Sequence, residues 1–116
     1  MHDYLMLLHE TPADQPTMSK DELRALIQRY SDWAETLRQQ GRLSAGHKLC
    51  DDGGRQLRRP GAQLLASDGP WAEAKDVIGG LFIIRAESLA EAEALAATCP
   101  HLGGSSWITL RQIEAL

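Results

Sequence analysis

The chain of 116 residues has no apolar run near the ~20 residues that cross a bilayer as a helix, so no membrane partner is expected. Positive charge is scarce: 12 Lys and Arg stand against 16 Asp and Glu, a net charge of −4. Nucleic-acid grooves and anionic lipid surfaces need clustered Lys and Arg, so no nucleic-acid partner is expected either. The densest basic cluster, Arg55, Arg58 and Arg59, lies beside Asp51 and Asp52 and reads as a solvated hairpin. Cysteine is also scarce. Cys50 and Cys99 lack C-x-x-C spacing, and Met1-His2-Asp3 lacks the basic start of a secretory signal. Free thiols in a reducing cytoplasm are the expectation.

The familiar catalytic signatures are missing too. None of His2, His9, His47 and His101 forms H-x-x-x-H or pairs with a cysteine at zinc-site spacing, so neither a metal nor a cofactor is expected. The glycine pairs at 53–54, 79–80 and 103–104 lack the context of a dinucleotide or phosphate loop, and no serine sits in a nucleophile elbow.

What is present is the patterning of one domain over residues 1–116. Apolar content of 43% with 24% charged residues is enough for one hydrophobic core in water. Tyr4 to Leu8 is an apolar run suited to a central strand, ended by His9 and Glu10. Ser19 and Glu22 form a capping box, with Met18 and Leu23 spaced as a hydrophobic staple. Leu23, Leu26, Ile27, Tyr30, Trp33, Ala34 and Leu37 then recur as one helical stripe, predicting a helix over about Lys20 to Gln40 with Gly41 just past its end.

Leu43 to Cys50 alternates with period 2, placing Leu43, Ala45, His47 and Leu49 on one strand face, toward the core. Asp51 to Gly54 is a turn. Arg55 to Arg59 and Ala62 to Ser67 predict a hairpin through Pro60-Gly61. Asp68 to Ile78 turns and crosses over, and Gly79 to Ala86 is a strand. Ser88 with Glu91 is a second capping box, opening a helix with an alanine-rich stripe of Leu89, Ala92, Leu95 and Ala96, stopped at Cys99-Pro100. Ser105 to Ile113 alternates as a last strand. The order β-α-β, hairpin, β-α-β describes an α+β ferredoxin-like sandwich. Its helices cover one sheet face. The bare face predicts a homodimer of stacked sheets.

One stretch organises the rest: Ser67 to Ala86, SDGPWAEAKDVIGGLFIIRA, which sets polar residues beside a buried strand. Asp68 could hold the His47 imidazole in one tautomer if their strand ends converge, the minimum for proton transfer. Read more simply, Asp68 caps the turn and His47 is an ordinary half-buried histidine. Glu73 and Lys75 read as a solvated face unless both line one pocket. His9 ends a central strand, where pocket residues often sit. Trp33 fits the core stripe first and a ligand platform second. His101, after Pro100, reads as loop surface.

The run SDGPWAEAKDVIGGLFIIRAESLAEAEALA resembles the DGPF-motif branch of the YCII-related domain family, with Trp71 in place of the usual Phe. YLMLLHE, QQGRLSAG, the Cys99-Pro100 pair and GGSSWITLR fit the same layout, so the likeness spans the chain. The resemblance implies a dimeric α+β barrel of ferredoxin-like protomers. It also implies a histidine–aspartate pair in a pocket as the family's suspected enzymatic feature, and the expected pocket here lies at the sheet ends, lined by Asp68, Trp71, His47 and Lys75. The family histidine lies on the first helix, where this chain has Trp33 and no histidine. The same branch occurs beside or fused to sigma factors. The resemblance therefore implies a module that binds a small ligand or a sigma-factor partner, or else an enzyme using Asp68 with a histidine.

Overall fold

A computed structural model describes residues 1–51, 54–68 and 76–116. Among the described residues, six strands and two helices follow the expected order: β1 (His2–Glu10), α1 (Lys20–Gln39), β2 (Leu43–Lys48), β3 (Arg55–Arg58), β4 (Leu65–Asp68), β5 (Val77–Ala86), α2 (Leu89–Ala96) and β6 (Trp107–Gln112). A single turn of 3-10 helix, Pro12–Asp14, sits in the loop before α1. β2, β5, β1 and β6 form one sheet in that order, every pair antiparallel. β3 and β4 form a separate two-stranded hairpin. This is the ferredoxin-like α+β arrangement with a hairpin inserted between β2 and β5.

The local signals act as their chemistry requires. The Ser19 side chain accepts from the Glu22 backbone N–H, and the Glu22 carboxylate accepts from the Ser19 N–H. At the other end of α1, Gly41 takes φ +71°, and the Arg42 and Gly41 N–H groups donate to Leu37 and Arg38. That is a Schellman ending, in which glycine accepts the left-handed position without a Cβ penalty. The second capping box is only half made. Ser88 accepts from the Glu91 N–H, but the Glu91 carboxylate pairs with Arg42 at the start of β2, because a guanidinium in reach competes better than a backbone amide.

Register divides the sheet into two faces. Tyr4, Met6 and Leu8 on β1 face the helices with Ile84 of β5 and form the core with Trp33, Leu37, Ala86, Ala92, Ala96 and Cys99. Ile108 and Leu110 of β6 pack on the same side. Leu5 and Leu7, paired with Ile83 and Leu81, lie on the opposite face and are half-buried. We call this the open face.

Three expectations need correction. Leu23 and Ile27 are 49% and 55% exposed, so the first half of the α1 stripe leaves the core. Only the second half of the helix, carrying Trp33 and Leu37, is buried against the core. Leu89 is likewise exposed at the first residue of α2. His47 is exposed and does not share a face with Leu43. A register shift between Leu43 and Ala45 pairs Leu43 with Ile84 and Ala45 with Ile83, so the alternation flips and His47, opposite Leu81, lands on the open face.

Candidate functional site

β1 runs two residues beyond its apolar run, to Glu10, and its last residues build the most featured polar site among the described residues. Between Leu8 and His9 the register with β5 slips: Leu8 pairs with Gly80 but His9 with Ile78, leaving Gly79 as the extra residue. The extra residue is on β5, so it re-aims Ile78 and Val77, while β1 keeps its alternation and its register with β6. His9 lies directly opposite Trp107 of β6. The two rings are stacked, with centroids 4.9 Å apart and planes 1° from parallel. The Thr109 hydroxyl is 2.9 Å from His9 Nε2. The His9 ring is thus held on one side by an aromatic face and at one nitrogen by a hydroxyl. Its Nδ1 makes no hydrogen bond to any described residue.

His9 and Trp107 form part of the wall of an open-sided cavity of about 470 Å³, with Gln56, Asp76, Val77 and Ile78. That volume falls within the range of small-molecule sites. Gln56 comes from the hairpin, and Asp76 to Ile78 from the start of β5. An aromatic face, an imidazole, an amide and one carboxylate therefore meet around apolar walls. This composition can orient a small, partly planar molecule through a few polar contacts.

Behind the sheet end, on the helix side, lies a second polar group. His101 is 9% exposed, not at the surface. The turn after α2 folds inward, and both of its ring nitrogens find partners. Nε2 is 2.7 Å from the His9 carbonyl oxygen and Nδ1 is 3.2 Å from the Tyr30 hydroxyl. Tyr30 is pushed up to about 12, first by burial and then by the neighbouring Cys99 and Glu10. Burial also pushes the Cys99 thiol up, partly offset by the His101 backbone N–H. The Tyr30 value has a stability consequence with a definite sign. Below pH 10 both folded and unfolded chains hold the phenol proton. Between pH 10 and 12 only the unfolded chain releases it, so folding weakens as pH rises through that window. Urea midpoints measured at pH 9 and pH 11 should fall further for the wild type than for Tyr30→Phe.

The residues expected from sequence fall in three places. His9 lines the cavity. Asp68 and His47 do not meet: no hydrogen bond or ion pair joins them among the described residues. Asp68 ends β4, its side chain 85% exposed, and pairs with Arg55 directly opposite at 2.9 Å. An exposed pair of this kind contributes little to stability. Trp33 is buried in the core, donating from Nε1 to the Thr98 hydroxyl at 2.8 Å and meeting Phe82 edge-on at 5.0 Å. It does not line this cavity. Trp71, Glu73 and Lys75 lie outside the described residues, as does the body of the Asp68 to Ile78 crossover.

Sequence reading overlooked Trp107, Thr109, Gln56, Asp76, Tyr30 and His101. The alternation of β6 did place Trp107 and Thr109 on one face. What was missing was the pairing across about a hundred residues that brings that face to His9. Among the described residues no group of three or more His, Cys, Asp or Glu could hold a metal, and no helix is long and apolar enough to cross a membrane. The sequence model of the YCII-related domain aligns with residues 2–114. No curated protein matches the chain.

Proposed function

The chain belongs to the YCII-related domain family, and from that premise we propose that it is a small-ligand-binding protein whose ligand enters the cavity beside His9 and Trp107. The observation that carries this reading is the stacked and hydrogen-bonded His9–Trp107 pair on the cavity wall. Two rings held in fixed geometry lose little freedom when a ligand arrives, which favours affinity. The ligand is a small organic molecule with a flat part to lie against this wall and a polar group for His9, Gln56 or Asp76. A cavity favours a small ligand over a sigma-factor or other protein partner, which would need an apolar patch for docking. The protein works as a cytoplasmic homodimer. Free thiols at Cys50 and Cys99 support the compartment, and half-buried Leu5, Leu7, Leu81 and Ile83 on the open face support the pairing.

Calorimetric titration with a panel of small heteroaromatic amides and amines tests the site. At least one should bind the wild type, and Trp107→Ala should weaken it tenfold or more, about 1.4 kcal/mol. A panel member that binds both proteins equally sinks this placement of the ligand. Sedimentation at micromolar concentration should give twice the 12.8 kDa chain mass. A monomer there removes the dimer.

One observation favours a second reading, the enzyme that uses a histidine. His9 lines a cavity with one ring nitrogen free of hydrogen bonds to the described residues. His9 is better placed than His47 for such acid–base work, with Asp76 on the cavity wall and Asp68 on the neighbouring hairpin. An enzyme alters the compound it binds, and His9→Gln stops the conversion. A binding protein returns it unchanged.

A further inference from the structure

We propose that His101 is a positioning residue, a buried imidazole braced by Tyr30 that holds the end of β1 so that His9 faces the cavity. The proposal rests on the cavity reading above but concerns residues that touch no ligand. His101 stands in the turn between α2 and β6 and is in hydrogen-bond reach of two other elements at once, α1 through Tyr30 and β1 through the His9 carbonyl. A carbonyl oxygen only accepts, so His101 Nε2 carries a proton and donates it to His9. In the neutral ring that leaves Nδ1 as the acceptor of the Tyr30 hydroxyl proton. The phenol keeps its proton in this environment and so has an O–H to offer to this contact.

The location gives this brace its effect. The His9 carbonyl adjoins the slip in register between Leu8 and His9. The ladder to β5 is interrupted at that point while the ladder to β6 continues, so on the β5 side His101 supplies a fastening that the strand pairing lacks. The ring of the same residue reaches the open face, where it stacks on Trp107 and meets Thr109. Movement of the His9 backbone would carry its ring off Trp107. Tyr30, His101 and His9 therefore form one connected path from α1 to the cavity wall. Glu10, the next residue of β1, is close enough to Tyr30 to act on it electrostatically.

The test is the proton NMR spectrum of the histidine rings, which needs no ligand. In the wild type the ring current of Trp107 should displace the His9 signals from those of exposed His2 in the same sample. His101→Leu should move the His9 signals toward the His2 positions. His101→Gln, whose amide can still donate to the His9 carbonyl, should retain the displacement. Tyr30→Phe removes the donor to Nδ1 and should shift or broaden the His9 signals, so it reads the path even where His101→Leu does not fold. Ala92→Gly, a destabilising change in the core away from this path, should leave them in place. His9 signals unchanged in folded His101→Leu, or unchanged in Tyr30→Phe, overturn the proposal. A lower melting temperature without movement of His9 does so too, since it marks a merely structural histidine. Movement of His9 in these variants with no binding from the ligand panel supports the positioning role and counts against the ligand-binding reading alone.

Discussion

Trp33→Ala is expected to remove about 3–5 kcal/mol of stability, the range for deleting a buried tryptophan side chain. The loss has three parts. The indole is 8% exposed and packs into the core cluster with Leu37, Ile84 and Tyr4. Its edge contact with Phe82 at 5.0 Å disappears. Its Nε1–H bond to the Thr98 hydroxyl, which ties α1 to the end of α2, disappears as well. A domain of this size has about 5–15 kcal/mol in total, so the variant should melt roughly 10–20 °C lower. Trp33→Phe retains most of the packing and loses the hydrogen bond, about 1 kcal/mol. A thermal melt in which Trp33→Ala costs under ~1 kcal/mol, together with loss of ligand binding, would return Trp33 to the role of ligand platform.

The second large effect comes from a pair of neighbouring glycines with opposite tolerance. A Cβ on Gly80 would stand 2.9 Å from the His47 carbonyl oxygen, which is backbone of β2. Gly80 pairs with Lys48 and Leu8, so the strand on either side would have to shift to make room. Gly80→Ala should cost about 1–3 kcal/mol, the usual range for overpacking. A Cβ on Gly79 would also be close, 2.8 Å from Glu10 Oε1, but that atom is the far end of a flexible side chain. The carboxylate can swing away, and Gly79→Ala should stay within about 0.5 kcal/mol. Denaturant midpoints of the two variants make the comparison. Equal losses would mean that the β2–β5 ladder yields more easily than its hydrogen bonding implies.

These two predictions show how unevenly the molecule could be read beforehand. The Gly79-Gly80 pair was visible as the opening of a strand. Which glycine is constrained depends on β2 lying beside β5, a pairing across about thirty residues. Trp33 stood on a helical stripe, and the stripe correctly named the core of the second half of α1. It could not show that Leu23 and Ile27, on the same stripe, are left exposed. His47 was misplaced for a local reason, since one bulge defeats any count of alternating residues. His101 was misplaced for a distant one. Nothing near Pro100 signals that Tyr30 and the end of β1 wait in the interior with hydrogen-bonding groups to satisfy.

The sequence by itself determined the order of elements, the first capping box, the glycine ending of α1, the central place of β1 and the family. Each depends on residues within a few positions of one another, or on a pattern that extends along the whole chain. Tertiary structure alone decided which residues meet: His9 with Trp107 and Thr109, His101 with Tyr30, Glu91 with Arg42 in place of its own helix end. The physical reason is that strand pairing and hydrogen bonding between elements are set by register. A slip of one residue, invisible in composition or periodicity, changes which face a side chain occupies and therefore what it can touch.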